Sequence, residues 1–184
     1  MIAGVAATFI LSATDLSIVA TLREAGAVQW TGLAIALWCL YSLVGGLVFG
    51  AMHWPVSALT LIAAMGLLTI PVGLAPTWQW LVLALIPAGV LCAPTMTATN
   101  DNLARAVPAE SRGEATGLLA SAFTAGTTIG APFAGLVIDH ASPAWAFAAA
   151  GVVGALSVLA AVPAYRKAPA PHPAPAAVAE TASA

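Results

Sequence analysis

Charged residues are scarce in this sequence. Of its 184 residues, 5 are Lys or Arg and 7 are Asp or Glu, so 7% are charged. A typical soluble domain is about 25% charged. Because 61% of the residues are hydrophobic and the mean hydropathy is +0.98, the chain lacks the polar residues that a water-soluble fold needs on its surface. These proportions exclude an ordinary soluble domain and indicate that lipid surrounds most of the chain.

Other signals are also missing. The net charge of −2 and the lack of any basic run exclude a nucleic-acid partner. The two cysteines, Cys39 and Cys92, lie in apolar runs and read as buried free thiols, and no Cys/His pattern predicts a metal site. We therefore expect no metal and no cofactor. The N-terminus has no Lys or Arg before its apolar run, which argues against a removable signal peptide.

What the sequence does contain is a series of long apolar runs. They are continuous rather than alternating, which predicts helices, and about 20 residues at 1.5 Å rise cross roughly 30 Å of hydrocarbon. We predict an all-α, polytopic membrane protein with six transmembrane helices in one domain, 1–165. The predicted spans are about 1–22, 31–52, 57–75, 78–99, 115–138 and 144–165, and the Pro/Ala-rich tail 166–184 is predicted to be disordered.

The basic residues predict the orientation. Six spans place both termini and the loops after spans two and four on one side, which holds Arg105, Arg112, Arg166 and Lys167, whereas the other side holds Arg23. The positive-inside rule therefore predicts cytoplasmic termini and a cell inner-membrane location. Residues 101–114 are then a cytoplasmic loop that contains Arg105 and Arg112.

Several motifs resemble one family. "PAESRGEATGLLASAFTAGTTIGAPFAGLVID" resembles the loop between helices ten and eleven, with helix eleven, of the major facilitator superfamily; its matching positions are Pro108, Arg112, Gly113, Ala115 and Gly117. "GAPFAG" resembles a Gly-Pro stretch of proton-coupled antiporters, which usually belongs to helix five. "GLVFGAMHW" keeps Gly46 of another family motif but lacks its acid and base.

The resemblance implies the C-terminal half of a twelve-helix transporter, built as two inverted three-helix repeats. A repeated Gly-Leu-Val motif fits this arrangement, because "GLVFGAMHWP" ends the second span and "GLVIDHASP" ends the fifth. The implied activity is secondary transport of a small molecule, with proton-coupled efflux favoured by "GAPFAG". Transport would require a missing N-terminal half or a second copy as partner, besides protons, substrate and membrane lipid.

The distribution of polar residues indicates where the candidate site lies. They concentrate in spans one, four and five, so we expect these helices to face inward and spans three and six to face lipid. Asp15 is the sharpest candidate, because a carboxylate inside a span is costly unless it is paired, hydrated or protonated. Thr14 is its neighbour. Asn100 and Asp101 could form an inner gate with Arg105 or Arg112. Gly46, Gly117, Gly126, Gly130 and Gly135 are expected to allow close helix packing.

Two other classes of protein compete with a transporter. An intramembrane protease of the six-helix rhomboid type needs a Gly-x-Ser nucleophile motif and a membrane-embedded His, but His53 and His140 lie at span ends and no Gly-x-Ser-x-Gly occurs. We therefore do not expect an enzyme. The alternative to a transporter is a truncated, non-transporting remnant or a subunit that needs a separate N-terminal half.

Overall fold

The computed structural model describes residues 1–51 and 56–167, and its regular elements are helices. Short 3₁₀ turns cover Val28–Trp30, Ile70–Leu74 and Ala109–Ser111. The α-helices are α1 (Ile2–Glu24), α2 (Thr31–Ala51), α3 (Ala58–Thr69), α4 (Trp78–Ala106), α5 (Arg112–His140) and α6 (Pro143–Lys167).

Within the described residues, five helical segments are long and apolar enough to cross a membrane. The sixth, Ala58–Leu74, is shorter and consists of α3 followed directly by the 3₁₀ turn. Pro71 lies in this turn; its missing N–H and its ring disfavour continuation of the α-helix. Because a 3₁₀ turn rises about 2.0 Å per residue instead of 1.5 Å, the combined segment is roughly 28 Å long, close to the hydrocarbon thickness.

The connection between α4 and α5 is shorter than the sequence suggested. We expected a cytoplasmic loop over 101–114, but α4 continues to Ala106 and α5 begins at Arg112. Arg105 therefore lies in the last turn of α4 and Arg112 at the start of α5. Val107 ends α4 in an extended conformation (φ −121°, ψ 133°), as expected for a residue that precedes a proline. Helix-forming residues before Pro108 account for the longer helix.

The C-terminal end of the last helix also differs from the expectation. The predicted tail began at residue 166, but Arg166 and Lys167 are the last two residues of α6. The remainder of that predicted tail, 168–184, lies outside the described residues, as does Met52 at the end of the second predicted span.

Helix α1 is the most enclosed helix of the bundle. It packs most extensively on α5 and α6 and also touches α2, α3 and α4. In α1, 61% of the apolar segment is buried, whereas the values are 17% for residues 28–51 and 22% for α5. The many Ala, Ser, Thr and Gly residues of α1 allow neighbours to approach from several sides. Helices α2 and α5 therefore carry the most uncovered surface.

Glycines lie where helices cross. Gly45 of α2 faces the backbone of Val90 in α4, and Gly126 and Gly130 of α5 face the carbonyl groups of Val5 and Phe9 in α1. A Cβ at Gly130 would lie 2.6 Å from the Phe9 oxygen, closer than real atoms approach. Between α3 and α6, Gly66 faces the Gly151 carbonyl while Gly151 faces the Gly66 carbonyl.

Candidate transport site

Asp15 lies on the side of α1 that faces α2 and α4. It shares a stripe of α1 with Leu11, Ile18 and Leu22, spaced i, i+4, i+7 and i+11. Ile18 and Leu22 are fully buried in one cluster with side chains of α2 and α4 (Trp38, Leu81, Val82, Leu85 and Ala88), which also includes Val72 of the 3₁₀ turn and Phe147 of α6. The carboxylate thus interrupts an apolar stripe at the junction of three helices.

The carboxyl group of Asp15 is accessible and has no cationic neighbour among the described residues. Its side chain is exposed at the surface of the bundle, so a proton or a solute can reach it. In the part of the chain that the structure describes, no basic side chain interacts with it electrostatically. The pairing of Asp15 with Arg23, which would have explained the carboxylate as a structural element, is therefore not formed here.

Cys92 of α4 is an ionisable group on the other side of the junction. Its thiol is half-buried and lies within electrostatic range of Asp15. Ser42 and Cys39 of α2 also lie near this thiol. The crossing of α2 and α4 places them there, because Gly45 and Gly46 contact Val90 and Ala93 on either side of Cys92. Cys39 is exposed, whereas its apolar run led us to expect a buried thiol.

Thr14 is buried and its hydroxyl group is unsatisfied. Its side chain is 1% exposed, and its Oγ1 has no hydrogen-bond partner among residues 1–51 and 56–167. The other hydroxyls of α1 have partners. Ser17 donates to the Ala13 carbonyl (2.7 Å) and Thr21 to the Ser17 carbonyl (2.8 Å), whereas Ser12 donates to the Thr127 carbonyl of α5 (3.0 Å). A buried polar group without a partner is uncommon and often marks a functional position.

The inner candidates are brought together only in part. Asn100 and Arg112 line a small cavity of about 60 Å³ between the ends of α4 and α5, together with Thr116 and apolar residues. The Asn100 Nδ2 donates to the Met96 carbonyl (2.8 Å), and Thr116 Oγ1 donates to the Arg112 carbonyl (2.8 Å). Asp101 and Arg105 are exposed and do not line the cavity.

A larger cavity lies at the opposite end of α1 and α5, with a volume of about 310 Å³. Its floor is apolar, and its rim carries Arg23, Glu24 and Asp139. The sequence placed these ionisable residues at span ends but gave no indication that the ends of spans one and five enclose a common space. Leu16, which follows Asp15 in sequence, lines this cavity, but Asp15 itself does not.

The predicted packing glycines have different surroundings. Gly126 and Gly130 face the backbone of α1, and a Cβ at Gly46 would lie 3.1 Å from the Ala93 Cβ. Around Gly135 the contact is ordinary (3.8 Å to Leu16), and a Cβ at Gly117 would meet no described atom within 4 Å. The close contacts at Gly45, Gly66 and Gly151 were not expected, because a glycine within a span looks the same in sequence whichever helix it faces.

Sequence reasoning also missed that Cys92 lies within electrostatic range of Asp15 and that Ser42 lies near Cys92. Each of the three residues lies in a different span, and no local pattern relates one span to another. The available signal was weak: Cys92 lies on the fourth span, one of the three selected by their polar content.

Comparison with known proteins identifies the family of this chain. The family model of the Major Facilitator Superfamily matches residues 1–183. The chain belongs to this superfamily. A comparison with curated proteins finds no match. Membership of the Major Facilitator Superfamily and the apolar helices together make the chain a multi-pass membrane protein of a transporter family, and not of a family of enzymes.

Proposed function

We propose that this chain is the C-terminal six-helix half of a Major Facilitator Superfamily transporter that exports a small molecule in exchange for protons. The observation that carries the proposal is Asp15, an accessible carboxylate within a membrane-crossing helix, without a cationic partner among the described residues. Such a group is costly in a span and is retained where it binds a proton or a solute.

The helix contacts support two inverted repeats, α1–α3 and α4–α6. If α1 corresponds to α4, α2 to α5 and α3 to α6, then the extensive contact of α1 with α5 corresponds to that of α4 with α2. Likewise, the contact of α1 with α6 corresponds to that of α4 with α3. The reciprocal approach of Gly66 and Gly151 is what a two-fold relation between α3 and α6 produces.

The exposed polar face of α5 supports a partner half. The hydroxyl groups of Ser121, Thr124 and Thr127 each donate to carbonyls within α5, yet all three side chains are exposed. We expected spans one, four and five to face inward; within this chain the polar side of α5 faces outward. A six-helix N-terminal half placed against α2 and α5 would cover this face and enclose Asp15 between the two halves.

The individual residues receive roles within this proposal. Asp15 carries the proton. The unsatisfied Thr14 hydroxyl group, next to it in sequence, is 1% exposed, so it binds a polar group of the substrate only in a conformation in which α1 separates from its neighbours. At the other end of the path, Asn100 with Arg112 forms the inner gate, while Asp101 and Arg105 are exposed and contribute charge at its entrance. The packing glycines hold α1 against α5 and α2 against α4.

In this proposal the chain lies in the inner membrane, and both of its termini are cytoplasmic. Arg105, Arg112, Arg166 and Lys167 then lie on the cytoplasmic side, in agreement with the positive-inside rule. Labelling of a cysteine placed at Ser111 with an impermeant maleimide, from either side of sealed vesicles, checks this orientation.

Proton flux tests the function. Everted membrane vesicles that contain this chain and an N-terminal half are energised to an acid interior, and a panel of small molecules is added while a pH dye is followed. We expect at least one compound to release the dye quench, because it is exchanged for protons. Asp15→Asn should abolish the release, since the amide cannot carry a proton.

The matched control is Glu110→Gln, which removes a carboxylate from the 3₁₀ turn between α4 and α5 and should leave the release intact. Release that is unchanged in Asp15→Asn would refute the role of Asp15. If none of the compounds releases the quench although both halves are present in the membrane, the alternative of a non-transporting product is favoured.

A further inference from the structure

We infer that the exported molecule is a small organic cation that carries N–H donors, such as a guanidinium or an amidinium, and that Asp15, Ser12, Thr124 and Thr127 bind it. This inference rests on the proposed function and adds the class of substrate to it. Its basis is the direction of the hydrogen bonds on the open face where α1 meets α5, together with the absence of basic side chains from the spans.

A hydrogen bond between two helices places these residues side by side. The Ser12 Oγ donates to the Thr127 carbonyl of α5 over 3.0 Å, and among the described residues this is the one side-chain hydrogen bond that joins two helices. Ser12 and Asp15 are three residues apart on α1, and Thr124 and Thr127 are three apart on α5, so each pair shares a helix face. Asp15 and both threonines are exposed and Ser12 is half-buried, so a solute can reach all four.

The hydroxyl groups of this face already use their protons. Because a carbonyl oxygen can only accept, each hydroxyl that bonds one is the donor. Ser12 donates to Thr127, the Thr124 Oγ1 donates to the Ala120 carbonyl (3.0 Å), and the Thr127 Oγ1 donates to the Thr124 carbonyl (2.8 Å). These three oxygens therefore offer lone pairs to a solute, and the solute has to supply the hydrogen-bond donors.

The backbone of α5 adds another acceptor to this face. Pro132 has no N–H, so it leaves the carbonyl of Thr128, four residues earlier, without its usual helical partner. Thr128 is exposed next to Thr127. Its hydroxyl group is the exception on this face, because it forms no hydrogen bond within the described part of the chain and can donate as well as accept. Acceptors nevertheless outnumber donors on this face.

The distribution of charge favours a cation over a neutral donor. Asp15 is the one charged side chain inside the predicted spans, and the basic side chains of residues 1–51 and 56–167 lie at helix ends. On α1 the basic residue is Arg23, eight residues or about 12 Å further along the helix. A cationic ligand stabilises such a carboxylate, whereas an anionic one is repelled. In the proposed exchange, the cation and the proton occupy Asp15 in turn.

An apolar tail on the cation has a surface to cover beside the carboxylate. Val19, one turn beyond Asp15 on α1, is 40% exposed and lines the outer cavity of about 310 Å³ together with Leu16 and Ile138. A short alkyl chain can pack there while the charged head of the same molecule contacts Asp15. Alkyl cations are therefore suitable probes.

Four compounds of similar size separate charge from N–H donation. Butylguanidinium has both, butyltrimethylammonium has the charge without N–H groups, butylurea has N–H groups without the charge, and pentanoate has the opposite charge. Binding of labelled butylguanidinium to the full chain in lipid vesicles is measured by equilibrium dialysis against protein-free vesicles, with the other compounds as competitors. We expect butyltrimethylammonium and butylurea to bind about tenfold more weakly, because each lacks one interaction, and pentanoate not to compete.

Ser12→Ala tests the hydroxyl groups, because it removes one acceptor from the face. The affinity for butylguanidinium should fall about tenfold, whereas that for butyltrimethylammonium, which has no N–H to donate, should stay the same. Ser17→Ala is the matched control on α1: Ser17 is fully buried and donates to the Ala13 carbonyl (2.7 Å), so neither affinity should change. The ratio of the two affinities does not depend on the folded fraction of a variant.

Asp15→Asn tests the charge in the same assay. The affinity for butylguanidinium should fall about tenfold, because the amide carries no negative charge, whereas butylurea should keep its own affinity. Equal affinities of the two compounds for Asp15→Asn would show that this carboxylate is what distinguishes the cation from its neutral counterpart.

The outcomes separate this inference from the proposed function. The inference is refuted if butylguanidinium does not bind, if butylurea or butyltrimethylammonium competes equally well, or if Ser12→Ala lowers both affinities by the same factor. In each of these cases the exchange of another solute for protons still stands. If the order of binding is as expected but butylguanidinium does not release the dye quench in vesicles with both halves, the cation site stands and the proposed proton exchange fails.

Discussion

At the scale of single residues, the bundle contains one feature that packing alone does not explain. Thr14 buries a hydroxyl group without a partner among the described residues. In the same helix, the hydroxyl group of Ser17 donates a hydrogen bond to a backbone carbonyl. An unsatisfied buried group destabilises a protein by about 1–3 kcal/mol. Its presence next to Asp15 in sequence fits a position retained for function, where local rules are broken.

Thr14→Val should therefore raise stability and lower transport. Valine has nearly the same shape as threonine and removes the unsatisfied hydroxyl, so the free energy of unfolding should rise by about 1 kcal/mol. Thr69 provides the matched control, because it is equally buried (1%) but its Oγ1 donates to the Met65 carbonyl at 2.8 Å. Thr69→Val should be neutral or slightly destabilising. Thermal unfolding in detergent measures both, and equal destabilisation of the two variants would contradict the interpretation of Thr14.

At the scale of helices, small residues decide which helices touch. Gly45 and Val90 meet where α2 crosses α4, and Pro94, four residues beyond Val90, has no N–H to bond the Val90 carbonyl. That carbonyl instead points at the Cα of Gly45, an approach that a weak Cα–H···O contact can favour. Glycine at position 45 thus allows both the proline in α4 and the close crossing.

Gly45→Ala should disrupt this crossing. The added Cβ would overlap the Val90 carbonyl group and would lie 2.8 Å from the Val90 Cα, and backbone atoms cannot move aside like a flexible side chain. We expect a loss of about 1–3 kcal/mol of stability, as for overpacking in cores. Gly117→Ala is the control, since a Cβ there meets no described atom within 4 Å and alanine favours a helix by about 1 kcal/mol. A stability of Gly45→Ala equal to that of Gly117→Ala would refute the role of this crossing.

The contrast between these two glycines shows how far the sequence could go. Composition was sufficient to predict apolar membrane helices, because the lack of charge leaves no other environment. Composition could not distinguish Gly126, which faces α1, from Gly117, which faces no described neighbour, because both lie in similar stretches of sequence on the same helix. Similarly, Asp15 stood out as a carboxylate in an apolar run, but its neighbour Cys92 depends on the crossing of α2 with α4. The apolar pattern also failed to predict where α4 ends, because the helix continues beyond its apolar run until Pro108 prevents a further turn.

At the scale of the whole molecule, the uneven burial of the helices is the main feature to explain. The low burial of α2 and α5 contrasts with that of α1. Lipid can cover the exposed leucines and valines of α2, but it is a poor neighbour for the hydroxyls of Ser121, Thr124 and Thr128 on α5. The surface of α5 therefore fits a protein neighbour or a water-filled path better than it fits lipid.

A cysteine at Thr124 tests which of these covers α5. We expect a bifunctional reagent that joins a thiol to an amine to crosslink Thr124→Cys, in a chain with Cys39→Ala and Cys92→Ala, to a six-helix N-terminal half in native membranes. We also expect this cysteine to be protected from a lipid-soluble organomercurial, which binds a thiol even where the thiolate is disfavoured. Leu156→Cys is the control: it replaces an exposed leucine of α6, which should face lipid and react freely. The mass of the crosslinked product identifies the neighbour, because two copies of this chain give twice its mass. Equal reaction of both cysteines with the lipid-soluble reagent, without any crosslink, would mean that lipid covers α5, and the partner half would then be refuted at this face.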